Sequence, residues 1–186
     1  IKLCSFNLNK YLILTDPNKS DFSNDIMIRA LRNTDDRIRN NQSVTPGFLI
    51  AALLWPILIS KCSKDGEINI RKFFRSMDGV LKEQQKLTAV PRKFNSYIKD
   101  IWVLQLKLHS RIKSQPYKTI RHPRFRAAYD FLLVRESASR DKNGLGKWWT
   151  DFQKNDDSLR GSLISRMNEK SDEESSKIFG FYNELR

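Results

Sequence analysis

Metal-ligating and redox side chains are scarce in this sequence, with two cysteines and two histidines among 186 residues. Cys4 and Cys62 fall in no ligand or redox spacing. No disulfide framework is indicated, and a reducing compartment suits the chain. His109 and His122 stand thirteen residues apart with no cysteine beside them, which is no zinc signature. Glycine occurs seven times without forming a phosphate loop. Gly144-Leu145-Gly146-Lys147 lacks the spacing and the Ser or Thr that should follow, and it reads as part of a turn. No Ser, His and Asp arrangement points to a nucleophile. The apolar run at 47–59 is too short to cross a bilayer, which takes about 20 residues. No internal repeat, low-complexity segment or signal-peptide pattern is found. The chain opens on Ile1 rather than Met, and the expectation is a piece of a longer protein.

Acid is the other shortage. The formal net charge is +13 and the pI is near 9.9, which points to nucleic acid or an anionic surface as partner. The imbalance is uneven. Beyond residue 154, five basic side chains meet seven acidic ones, a net of −2, so residues 1–154 carry +15. It is most one-sided in 91–126. There Arg92, Lys93, Lys99, Lys107, Arg111, Lys113, Lys118, Arg121, Arg124 and Arg126 face a single acid, Asp100. Interleaved are Phe94, Tyr97, Trp102, Tyr117 and Phe125. Cations mixed with aromatic rings suit single-stranded nucleic acid, which presents phosphates and stackable bases. The same residues equally suit a solvated helical surface.

What remains is a folding chain. Hydrophobic residues make up 39% and aromatics 11%, and the length fits one helical domain or two small ones. Residues 1–14 are apolar and permit either a helix or a strand. After a turn at 16–20, Ser23 or Asn24 is placed to cap a helix whose apolar positions are Ile26, Ile28, Leu31 and Ile38. Thr45-Pro46 starts the next helix, with proline at its first position. That helix is apolar on every side, which marks a buried central element over about 45–60, kinked at Pro56. Trp55 reads as a core anchor.

Residues 63–67 read as a loop, and 68–87 have helical spacing through Ile70, Phe73, Phe74, Met77, Val80 and Leu81. A further helix carries Phe94, Tyr97, Ile98, Ile101, Leu104 and Leu108 on one face, with Arg92, Lys99 and Lys107 on the other. His122-Pro123 opens a helix with Phe125, Ala128, Phe131 and Leu132 inward, and Asp130 is placed to pair with Arg126. His122 fits either a helix cap or a phosphate contact. A short helix at 145–154 carries Trp148, Trp149 and Phe152. Ile178, Phe179, Phe181, Tyr182 and Leu185 suggest a last helix in the tail. The expected fold is all-α: a helical body at 1–154 and a mixed-charge tail at 155–186.

Four motifs then occur in order. Asn33-Thr34-Asp35-Asp36-Arg37-Ile38 comes first, and Thr45-Pro46-Gly47-Phe48-Leu49-Ile50-Ala51-Ala52-Leu53-Leu54-Trp55-Pro56 follows. Ile101-Trp102-Val103-Leu104-Gln105-Leu106 is later joined by Lys147-Trp148-Trp149-Thr150-Asp151-Phe152-Gln153. Between these two lies His122-Pro123-Arg124-Phe125-Arg126-Ala127-Ala128-Tyr129-Asp130-Phe131-Leu132. The last resembles the HPRFRAAYDFL signature of bacterial poly(A) polymerases, and the others resemble that family's NTDxRI, TPAFLxAALLWP, IWxLQL and KWWxxFQ. These polymerases belong to the nucleotidyltransferase group that includes the CCA-adding enzymes. The resemblance covers about residues 1–154.

The resemblance implies the helical C-terminal portion of a polyadenylating transferase of the bacterial cytoplasm, acting in RNA processing. In that family ATP and Mg2+ belong to an N-terminal catalytic head. Its Gly-Gly turn and Asp-x-Asp pair are absent here, so no catalytic and no metal residue is assigned to this chain. Asp65-Gly66-Glu67 lacks the Gly-Gly turn, and the adjacent side chains of Asp35-Asp36 diverge by about 100° on a helix. The implied partners are single-stranded RNA 3′ ends, held by the ten cations of 91–126 with Tyr117 or Phe125 stacking a base, and the protein's own head. The rival reading is a structural or protein-interaction module that docks RNA-decay proteins. Many members of the family end in an Arg-rich tail; this chain ends in an acidic, mixed one.

Overall fold

The computed structural model describes residues 20–64, 67–68, 70–88, 90–138 and 144–169. Among these, eight α-helices follow one another: α1 Ser20–Arg39, α2 Pro46–Cys62, α3 Ile70–Leu87, α4 Asn95–Lys107, α5 Gln115–Ile120, α6 Phe125–Ala138, α7 Leu145–Lys154 and α8 Asp157–Glu169. The short 3-10 helix Arg92–Phe94 leads into α4. Part of the loop expected at 63–67 is instead a two-residue antiparallel ladder of β1 Ser63–Lys64 and β2 Glu67–Ile68, with Ser63 opposite Ile68. The protein is all-α otherwise. No helix among the described residues is long and apolar enough to cross a membrane. Residues 1–14, the turn at 16–19, Asp65-Gly66 and the apolar positions of 178–185 lie outside the described residues.

The described residues divide into two compact units, one running to Lys99 and taking in Ser137 and Ala138, the other holding Asp100–Glu136 and 144–169. One boundary between the units falls within α4.

In the first unit, α2 packs against both α1 and α3. α1 begins at Ser20, so Ser23 and Asn24 lie inside it rather than capping it. Its buried face is Ile26, Ala30 and Thr34, whereas Ile28, Leu31 and Ile38 are exposed. Positions four apart share a helix face. Thr34 joins that face because its hydroxyl donates to the Ala30 carbonyl at 2.8 Å, leaving no bare polar group. α2 starts at Pro46 as expected and buries Phe48, Ile50, Ala51, Ala52, Leu54, Trp55 and Leu58. Leu49, Leu53 and Ile57, also four apart, are only half-buried, so the helix is not enclosed all round.

Trp55 meets Phe73 of α3 edge to face, with centroids 6.2 Å apart, a favoured aromatic geometry. α3 adds Met77, Val80 and Leu81 to the core. Cys62 is buried, its thiol bonded to the Leu58 carbonyl, and burial raises its pKa. That leaves a packing residue rather than a nucleophile. Gly47 stands where the family pattern has Ala, and a Cβ there would lie 2.8 Å from the Tyr97 ring.

The second unit is built around the stretches at 101–106, 122–132 and 147–153. Leu104, Leu108, Phe125, Ala128, Tyr129, Leu132, Leu145, Trp148, Trp149, Phe152 and Ile164 form one core. Trp149 Nε1 donates to the Leu108 carbonyl at 2.8 Å, and Phe125 packs on Trp149 with centroids 5.3 Å apart. Gln105 is buried between α4 and α6, donating to the carbonyls of Ile101 and Ala128 and accepting from Arg135 at 3.0 Å. Glu136 receives the Gly146 N–H on both carboxylate oxygens at 2.9 and 3.0 Å, placing a negative charge at the start of α7. Gly146 is required for that approach, since a Cβ would sit 2.3 Å from Glu136 Oε2.

α8 packs on this core through Ile164, Leu163 and Met167. Its Arg160 donates to the carbonyls of Phe152 and Gln153. These tail residues are therefore part of the second unit.

Candidate nucleic-acid interface

Of the ten cations expected to meet RNA, Arg92, Lys93 and Lys99 belong to the first unit, and Lys107, Arg111, Lys113, Lys118, Arg121, Arg124 and Arg126 to the second. They differ in surroundings. Lys99 is half-buried and paired with Asp78 of α3 at 2.5 Å. Lys107 and Arg111 are half-buried near the end of α4. Arg92, Lys93, Lys113, Lys118, Arg121, Arg124 and Arg126 are exposed. Lys93 Nζ lies 5.4 Å from the centre of the Phe94 ring. Arg126 pairs with Asp130 one turn on, at 3.1 Å, and also covers the Tyr129 ring. Arg126 is the exposed member of this pair, and the Asp130 side chain is largely buried. Arg92, Lys118 and Arg121 make no ion pair among the described residues.

The local sequence explains why the second unit shows its cations. α5 is one short helix with Pro116 in its first turn, and α6 begins only at Phe125. The four residues between them are turns. His122 Nδ1 accepts the Arg124 N–H at 3.1 Å, so its ring caps the turn that enters α6. In a turn held this way, Arg121 and Arg124 face water while Phe125 and Thr119 face inward.

The aromatic expectations separate. Phe125 is 5% exposed, stacked on Tyr129 and tilted against Trp149, and has no free face for a base. Its position at the head of the core-facing stripe of α6 overrides the basic neighbours that suggested stacking. Trp102 is wholly buried. Tyr117 is half-buried, its ring edge-on to Phe152 at 5.4 Å. Among the described residues no group of His, Cys, Asp and Glu could hold a metal ion.

Sequence reasoning passed over one polar arrangement: Arg135 of α6 against Gln105 of α4, with His109 nearby. Burial, then the charges of Arg135 and Arg111, push the His109 imidazole down to about 4, although much of the residue is exposed to solvent. Burial also lowers Arg135 to about 10, partly offset by Glu136. The sequence signal was the polar Gln105 on an otherwise apolar stripe.

Comparison with known proteins now decides the family. A family model described as "Polymerase A arginine-rich C-terminus" matches residues 65–178. The chain belongs to that family. It is 37% identical to "Poly(A) polymerase I" of Escherichia coli O157:H7 over 134 residues, which is 69% of this chain and 29% of that protein. Identity to "Poly(A) polymerase I" of Salmonella typhimurium is 36% over 134 residues, with the same coverage. The Haemophilus influenzae protein of that name is 33% identical over 151 residues, 78% of this chain and 33% of the relative. The chain thus spans about a third or less of the length of these curated relatives. The resemblance read from the motifs is borne out. In the second unit those motifs are mainly a packing code, since Trp102, Gln105, Ala128, Phe131, Trp149 and Phe152 are all buried.

Proposed function

We propose that this chain is the RNA-holding C-terminal portion of a poly(A) polymerase of the bacterial cytoplasm. In the whole protein it keeps an RNA 3′ end in reach of a head that binds ATP and Mg2+ and adds adenylate. The observation that carries the reading is the row of exposed cations in the second unit, Lys113, Lys118, Arg121, Arg124 and Arg126, on the turns and helix ends that surround its apolar core. Phosphate contacts position a strand without reading its bases, so binding is broad in sequence. Affinity comes from counterion release and falls steeply with salt. Tyr117 is the remaining aromatic for stacking in the second unit. ATP and Mg2+ have no seat assigned in this chain, and no chemical step is ascribed to it.

Fluorescent single-stranded RNA titrated with the chain at moderate salt tests this reading. A saturable anisotropy change, similar for unrelated sequences, is expected. No binding at low salt would leave the same basic surface to an acidic protein partner, the reading in which the module supports the head and docks RNA-decay proteins.

A further inference from the structure

α3 carries two acids, Asp78 and Glu83, and neither pairs along its own helix. Asp78 takes Lys99 of α4 at 2.5 Å, and Glu83 takes Lys61 of α2 at 2.7 Å. Both lysines belong to the first unit, as α3 does. Pairing within α3 was open to these acids. Arg75 precedes Asp78 by three residues, Lys82 follows it by four, and Lys86 follows Glu83 by three. Opposite charges meet on a helix at those spacings. Arg75, Lys82 and Lys86 are instead exposed and make no ion pair among the described residues. Helical geometry puts these three in one stripe, about 40° wide and about 16 Å long. The buried residues of α3, Phe73, Met77, Val80, Leu81 and Gln84, face the other way, so the three cations have no part in the core. Gly79 lies beside the stripe, and no other part of the protein stands within 4 Å of where its Cβ would be. Lys99 thus acts on the stripe from outside, cancelling the acid that sits beside Arg75 and Lys82.

We propose that Arg75, Lys82 and Lys86 of α3 form a second phosphate track, which holds the continuation of an RNA strand bound at the cation row of the second unit. The proposal rests on the RNA-holding reading for its ligand. Three cations in line, with the neighbouring acids engaged elsewhere, suit a ligand whose negative charges repeat along a line, and a nucleic-acid backbone is such a ligand. No aromatic ring lies on the stripe, so contact is with phosphates alone and reads no bases. Short strands are held by the second unit's row, and only longer ones gain from α3.

The test measures the slope of log affinity against log salt for two single-stranded RNAs. One has about five nucleotides and the other about thirty, longer than a single binding site commonly spans. In the parent chain the short strand should give a slope of about −3, and the long one should be steeper by about 2, at ~0.7 for each of three further phosphates. Replacing Arg75, Lys82 and Lys86 together with Gln should return the long strand to the short-strand slope and leave the short strand as it was, with the melting temperature unchanged. A control removes the same charge elsewhere through the exposed Arg29, Arg32 and Lys154, each replaced with Gln, and should keep the extra steepness. Equal slopes for the two strands in the parent overturn the track. An α3 variant that keeps the extra steepness also overturns it, leaving the RNA-holding reading in place and the stripe to water or an acidic protein. Equal loss from the control set overturns it as well, since net charge would then account for the slope. If neither RNA binds the parent at low salt, the RNA-holding reading falls and the track falls with it.

Discussion

α2 and the segment from His109 to Arg126 make opposite use of their sequences. α2 has one charged residue, Lys61, and nearly every position serves packing against α1 and α3. The basic segment interrupts its inward positions every few residues: Ile112, Pro116 and Phe125, with the polar Ser110 and Thr119, are buried, while Lys113, Lys118, Arg121 and Arg124 are exposed. Substitution in α2 should therefore cost fold, and substitution of the exposed cations should cost binding alone. The lesson is that a basic stretch with aromatics can contain two interleaved codes, and burial tells them apart.

The comparison breaks most easily at its apolar end. Leu54 is 2% exposed, and Leu54→Asp places an unpaired charge in the first unit's core. The cost of several kcal/mol approaches a whole domain's stability of ~5–15 kcal/mol, so the cooperative melt should vanish. Leu53→Asp, on the half-buried side of the same helix, should be milder. Equal loss from both would show that α2 is enclosed all round.

Gln105→Ala is expected to come next. It removes the acceptor of the Arg135 guanidinium and the donor shared by two carbonyls, a loss of about 2–4 kcal/mol given what stranded buried groups cost. Chemical denaturation should show a lower midpoint at unchanged slope. Gly146→Ala follows, at about 1–2 kcal/mol by loss of the charged cap on α7, since the new Cβ displaces Glu136. A melting temperature equal to the parent's would mean that Glu136 finds another seat.

A smaller effect concerns acid. The folded chain holds His109 near 4, below the ordinary ~6.5 of an unfolded histidine. As pH falls from about 6.5 toward 4, the unfolded state takes up the proton first, and stability declines over that window. His109→Asn should flatten this part of the stability–pH curve. An unchanged curve would place the imidazole away from Arg135 and Arg111.

Much of this was legible in the order of residues. Thr45-Pro46 marked the start of α2, and 145–154 was bounded correctly because Gly144, with φ of 64°, supplies a turn that its sequence neighbourhood advertises. The register of α1 was not, since a threonine bonded to its own helix belongs to the core and counts as polar in a pattern. Phe125 was placed inward by its helical spacing and is buried; only the base-stacking role suggested by its basic neighbours finds no open ring face, because those neighbours describe the turn it leaves, not the helix it enters. The ladder at Ser63–Lys64 is too short to carry an alternating pattern. The Arg135–Gln105 bond joins residues thirty apart in sequence, which no local spacing reveals. The candidate cations themselves were legible, but not which of them the fold engages, as with Lys99 and Asp78.

The central claim, that exposed cations hold RNA while the buried residues hold the fold, meets its most direct test in the salt dependence of RNA affinity. With about four phosphates engaged at ~0.7 per contact, the slope of log affinity against log salt should be near −3. Replacing Lys118, Arg121 and Arg124 together with Gln should bring it to about −1 and weaken all RNA sequences alike, with stability within about 0.5 kcal/mol of the parent. Arg160→Gln, which removes bonds to the Phe152 and Gln153 carbonyls, should do the reverse, lowering stability and leaving the slope. A triple variant that keeps a slope near −3 would contradict the account.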